Sequence, residues 1–145
     1  MSLFVDTGVF YAHHDRDAAR HDEAMAALER ALSGRWGHLY TSEYVLDETV
    51  ALTRSRTGKF EDSIAVVDRI LGRGRFASAV DLAFVGEDDF YRALHVFETY
   101  RDHPLSFTDA TTIALMNARD IDSLLSFDAD FDGIVERLDP GELDA

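Results

Sequence analysis

Four acidic residues stand at positions where carboxylates do chemistry. Asp6 follows the apolar run Leu3-Phe4-Val5, and Asp128 follows Leu124-Leu125-Ser126-Phe127. Both runs read as buried strands, and ligands of open parallel α/β sheets bind outside the carboxyl ends of the strands. Asp109 opens the most apolar helical segment, and Glu48 lies inside a helical one. At i−3, i+3 and i+4 from Glu48 stand Val45, Ala51 and Leu52, so this acid faces inward. Asp47 shares its face with Glu43 and Arg54 and reads as solvated.

Each acid also has a plainer reading. A single Asp after a strand is more often a turn former. Ser106-Phe107-Thr108-Asp109 matches a capping box, in which Asp109 serves the helix N-terminus. A buried Glu48 is equally compatible with an arginine partner. Taken together, converging carboxylates repel one another unless a cation sits among them. Oxygen donors suit Mg²⁺ or Mn²⁺, and the chain has no cysteine and no paired-histidine motif for zinc. Phosphodiester hydrolysis is the chemistry such a site serves, the ion activating water and stabilising the leaving oxygen.

Periodicity supplies the elements that must position these acids. Strands are expected near residues 3–5, 38–41, 76–80, 123–127 and 134–138. Helices are expected over 17–32, 42–54, 61–71, 87–100 and 108–118, with Asp6-Thr7-Gly8 as a turn. The alternation predicts a parallel sheet of four to five strands flanked by helices, an α/β class. The length of 145 residues suits one domain, taken as 1–139, with an acidic and loose C-terminal tail over 140–145.

The charge balance is lopsided: 28 acidic residues face 14 basic ones, a net charge of −14, and Lys59 is the one lysine. Such a surface repels nucleic acid at long range. It is also what a salt-adapted protein shows, and at about 1 M salt the Debye length shrinks to about 3 Å. One segment runs the other way. Arg54, Arg56, Lys59, Arg73 and Arg75, with Arg69, cluster between residues 53 and 76 and are the best group for phosphate contacts, although any one of them alone reads as solvated. The N-terminus lacks a basic, apolar leader and no stretch is long enough to span a bilayer, so a cytoplasmic protein with no membrane attachment is expected.

The motifs in their order resemble a known family. Phe4-Val5-Asp6-Thr7-Gly8-Val9-Phe10 resembles the opening of PIN-domain nucleases, and Thr41-Ser42-Glu43-Tyr44-Val45-Leu46-Asp47-Glu48 their second motif. Leu105-Ser106-Phe107-Thr108-Asp109-Ala110 and Leu124 to Phe131 resemble the third and fourth. The resemblance implies a Rossmann-like PIN fold, Mg²⁺ or Mn²⁺ as cofactor, and cleavage of RNA. The compact length resembles the VapC toxins of type II toxin–antitoxin systems, which implies a homodimer and inhibition by a small VapB-like antitoxin. Carried over by position, Asp6, Asp109, Glu48 and Asp128 become catalytic metal ligands. Thr7 and Ser126 become auxiliary hydroxyls, and Asp130 or Asp132 an assistant to Asp128. Gly8 departs from the family, which often has Ser or Asn there.

Other readings are weaker. Asp6-Thr7-Gly8 matches aspartic proteases, but those are β-rich and need two such loops. Haloacid-dehalogenase-like phosphatases need a second Asp where Gly8 stands. A housekeeping RNA-processing nuclease and a non-catalytic RNA- or antitoxin-binding protein remain as alternatives. His13, His14 and His103 read as exposed loop histidines. Trp36 and Tyr40 read as packing residues, and Phe90, Tyr91, Phe97 and Tyr100 as core or a dimer seam.

Overall fold

A computed structural model of the chain describes residues 1–143. Five parallel strands form one sheet in the order β3-β2-β1-β4-β5: β1 Ser2–Val5, β2 His38–Ser42, β3 Asp81–Ala83, β4 Ser123–Leu125 and β5 Arg137–Leu138. Six helices flank it: α1 Thr7–His14, α2 His21–Leu32, α3 Glu43–Thr57, α4 Phe60–Leu71, α5 Glu87–Thr99 and α6 Phe107–Ala118. The central strand β1 is buried throughout Leu3, Phe4 and Val5, and β4 buries Leu124 and Leu125. Such continuous apolar runs are what strands covered on both faces require. None of the helices is long and apolar enough to cross a membrane.

The strand order places the switch in winding direction at β1, between β2 and β4. There the register pairs Val5 with Leu125, and the Asp6 amide continues the ladder by donating to the Leu125 carbonyl at 3.1 Å. Residues directly after β1 and β4 are thereby brought side by side. Gly37 lets β2 enter beside β1. Its φ of +78° suits glycine, and a side chain there would overlap the Met1 carbonyl.

Several expected elements differ. Asp6-Thr7-Gly8 begins helix α1 rather than a turn. Asp6 occupies the N-cap position and Gly8 sits within the first turn, where its weak helix propensity had hidden the helix. The strand expected over 76–80 lies later, at Asp81–Ala83. Helix α2 starts at His21, because residues 15–20 form turns. The segment read as a loose tail is ordered as far as it is described. Pro140–Glu142 forms a 3₁₀ turn, Leu143 is buried, and Arg30 donates to the Leu143 carbonyl at 2.5 Å. The remaining positions of that tail, 144–145, lie outside the described residues.

Candidate active site

Three local devices aim the acids. At the end of β1, Asp6 is almost fully buried, and Ser126 Oγ donates to its Oδ2 at 2.7 Å. The same Ser126 hydroxyl accepts from the Asp128 amide at 3.0 Å, so one buried side chain fixes both strand-end acids. At α6 the capping box is fully formed: Ser106 Oγ accepts from the Asp109 amide at 3.1 Å, and Asp109 Oδ2 accepts from the Ser106 amide at 2.9 Å. Capping and site membership coexist in Asp109. Helix α3 is started by Ser42, whose Oγ accepts from the Val45 amide at 3.1 Å, and it carries Glu48 one turn further on.

Asp6, Glu48, Asp109 and Asp128 all line one cavity of about 280 Å³ at the carboxyl edge of the sheet, together with Thr7, Ser126 and Phe127. Asp47 is exposed on the far face of α3. Glu43, expected to be solvated with it, instead accepts from the Val85 amide at 2.8 and 2.9 Å and ties α3 to the segment after β3. The two rivals of Asp128 do not line the cavity. Asp132 is held by Arg137 at 2.7 Å, away from the cavity. Asp130 is exposed and does not line the cavity; its amide donates to Asp128 Oδ1 at 2.9 Å. Asp130 thus meets Asp128 through its backbone amide, and its own carboxyl is raised by desolvation and by the neighbouring charge of Asp128.

Electrostatics mark this cavity. Burial, with the nearby charges of Asp109 and Glu48, raises Asp6 to about 7 against the lowering effect of the Ser126 hydrogen bond. Burial raises Asp109 to about 6, with Glu48 and Asp128 adding to it and the capping hydrogen bonds opposing. No arginine, lysine or histidine lines the cavity, and none of the four acids is in an ion pair among the described residues. The arginine partner considered for Glu48 is therefore absent from its surroundings. Thr7 Oγ1, buried on the cavity wall, has no hydrogen-bond partner among the described residues. As the side chains stand, no group of three or more histidine and carboxylate residues among the described residues is arranged to hold an ion. The donor set nevertheless fits a hard divalent cation in kind and charge. It offers oxygen ligands only, uncompensated negative charge and an unpartnered hydroxyl.

The basic candidates divide. Arg56 and Lys59 line a cavity of about 530 Å³ at the C-terminal end of α1, away from the acids at its N-terminal end, together with Arg69 and His14. Arg54 lies against Phe60, and Arg75 against Phe76. Arg73 is paired with Asp68 at 2.9 Å. Arg20 was not singled out in the sequence, because it stands alone between Ala19 and His21; its guanidinium is 4.8 Å from the Phe127 ring centre. The adjacent histidines are not exposed loop residues. Both end α1, and His14 bonds Asp62 at 3.0 Å and Arg69 at 3.2 Å. His103, by contrast, is exposed after α5, as expected.

A parallel α/β sheet whose carboxyl edge gathers acids from four separate elements defines a class of phosphate-handling domains built around an acidic cavity. The chain belongs to the PIN domain family, whose model matches residues 3–136. It is 24% identical to a VapC ribonuclease of Archaeoglobus fulgidus over 90% of this chain and 80% of that protein. It is 29% identical to the 23S rRNA-specific endonuclease VapC20 of Mycobacterium tuberculosis over 92% of this chain and 96% of that one. The crystal structure of VapC20, described as a sarcin–ricin-loop-cleaving toxin, superposes with a TM-score of 0.74, covering 89% of this chain and 92% of that one. VapBC2 of Rickettsia felis, bound to a promoter DNA fragment, shares the fold at 14% identity. Its TM-score is 0.69, and the match covers 95% of this chain and 98% of that one.

Proposed function

We propose that this protein is an endoribonuclease, the toxin of a VapBC-type toxin–antitoxin pair, acting in the cytoplasm. The observation that carries the reading is the convergence of Asp6, Glu48, Asp109 and Asp128 on one cavity that no side-chain cation enters. Membership of the PIN family and the ribonuclease relatives support RNA as substrate. The relative named for 23S rRNA makes ribosomal RNA the first substrate to test.

Asp6, Glu48, Asp109 and Asp128 would hold Mg²⁺ or Mn²⁺, which supplies a stronger water nucleophile and neutralises charge on the phosphate oxygens. The chain's own groups prepare the site. Ser126 holds Asp6 and Asp128 in a fixed relation. The capping box holds Asp109 stiffly at the head of α6. Thr7 offers an uncommitted hydroxyl for water or a ligand oxygen. Burial raises the Asp6 carboxyl to about 7, and a bound cation would favour its ionised form.

A VapB-like antitoxin is the partner this reading assigns, supported by the toxin–antitoxin assemblies among the structural neighbours. The exposed Phe90, Tyr91, Leu94 and Phe97 of α5 support this face as the seam of the homodimer that this reading includes.

The test is RNA cleavage in Mg²⁺ and in Mn²⁺ by the wild type and by Asp6→Asn and Asp109→Asn. Wild-type cleavage that needs the ion, with a loss of roughly a hundredfold or more in each variant, is expected. Undiminished cleavage in both variants overturns the assignment of the site. Absence of any wild-type cleavage, with the antitoxin removed, overturns the activity.

A further inference from the structure

We propose that Arg20 and Arg56 form a phosphate clamp that grips the RNA strand as it leaves the acid cavity along α1, with Lys59 as the next contact. The proposal rests on the reading of RNA as substrate.

The path is continuous in the surface. The acid cavity shares Gly8 and Phe127 with a neighbouring groove of about 390 Å³, which Arg20 and Arg56 also line. That groove in turn shares Asp15, Asp17 and Arg56 with the 530 Å³ cavity that contains Lys59 and Arg69. Gly8, Tyr11 and Asp15, spaced along one face of α1 and its cap, run along this route. A strand whose reacting phosphate lies among the acids thus has an open channel past Phe127 toward the cations.

The state of the arginines favours this use. Arg73, Arg92, Arg119 and Arg137 are paired with aspartates. Arg20 and Arg56 have no carboxylate partner among the described residues, although acids outnumber bases two to one. They are braced on rings instead: Arg20 on Phe127 at 4.8 Å and Arg56 on Tyr11 at 5.8 Å. A ring steadies the guanidinium plane and leaves its N–H donors uncommitted for phosphate oxygens. Two acids, Asp15 and Asp17, share the groove with the arginines, and neither is paired with them. Asp15 accepts from the Tyr11 hydroxyl and, at 2.9 Å, from the Asp17 amide. Cations in a channel act at short range on phosphates, where the repulsion of the distant surface is screened.

Arg20→Ala and Arg56→Ala are tested for binding of a fluorescent single-stranded RNA in Mg²⁺ buffer, in the Asp6→Asn background that does not cleave, over a series of KCl concentrations. Each is expected to weaken binding several-fold and to flatten the plot of log affinity against log salt by roughly 0.7 per lost phosphate contact. In the otherwise wild-type enzyme each is expected to raise KM with kcat little changed. Arg35→Ala, an arginine equally braced on a ring (Trp36) but outside the channel, is expected to alter neither. Affinity, salt slope and KM equal to the parent's in both variants overturn the clamp. Loss of antitoxin inhibition with RNA affinity intact overturns it as well and assigns the arginines to the protein partner. If the parent neither cleaves nor binds RNA, the proposed function fails first, which keeps the two failures distinct.

Discussion

Asp6 joins two properties that mutation can separate, a charge the site needs and a charge the metal-free fold resists. Its carboxyl stands at about 7 and that of Asp109 at about 6, against an ordinary 3.8. The folded chain therefore binds these protons more tightly than the unfolded one. The stability they confer is complete below about pH 4 and is lost progressively as pH rises toward about 7. In metal-free protein, the melting temperature of Asp6→Asn is expected to gain on wild type over that interval and to level off above it. Added Mg²⁺ or Mn²⁺ is expected to raise the wild-type melting temperature more at about pH 8 than at about pH 5, since a ligand that displaces protons binds better without them. Scanning calorimetry of both proteins across pH, with and without the ion, measures both effects. A constant gap between variant and wild type would remove burial of Asp6 as their cause.

At the scale of elements, α6 shows how one residue serves fold and site together. Ser106→Ala removes the acceptor for the Asp109 amide and is expected to cost about 1 kcal/mol, read as a melting temperature lower by roughly 2–4 °C. Cleavage is expected to fall several-fold because Asp109 loses its brace. Ser106→Thr, which keeps the cap, is expected to restore both. This helix was legible in the sequence, since its cap signal and apolar run coincide. So were β1, β4 and the acids that follow them. Helix α1 was not. Its first turn holds Asp-Thr-Gly, which reads locally as a turn, and only packing of Val9 and Phe10 into the core makes it helical. Strand β3 was misplaced because Phe76 to Val80 is as apolar as Leu82 and Ala83; pairing of Thr41 with Leu82 and of Ser42 with Ala83 decides between them. The inward face of Glu48 was legible from its helical neighbours, while the freedom of Arg20 was not, because nothing in sequence shows Phe127 beneath it.

For the whole molecule, the C-terminal segment closes the fold rather than trailing from it. Leu143 joins the main core and Pro140–Glu142 packs on α2. Truncation after Asp139 removes that burial and the Arg30 contact, and a melting temperature lower by roughly 5–10 °C is expected by circular dichroism. An unchanged value would return the segment to the status of a loose tail. The sheet order explains why the acids meet although they are far apart in the chain. Asp6 and Asp128 follow adjacent strands, and α3 and α6 pack together above that edge, so the site exists only when the domain is assembled.

The Ser126 hydroxyl has a consequence for where the site keeps its exchangeable hydrogen. Its oxygen receives the Asp128 amide, and its single hydrogen points to Asp6 Oδ2. With Ser126 donating to Oδ2, a proton on Asp6 sits on Oδ1, the oxygen that Ser126 does not occupy. The polarity of the link runs in one direction, from the Asp128 backbone through Ser126 to Asp6. An asparagine at position 6 can satisfy the same polarity only with its carbonyl oxygen toward Ser126 and its amino group in place of Oδ1. Asp6→Asn thus keeps the Ser126 link and the neutral charge of the acid form, with an amino group where the acid carries its hydroxyl.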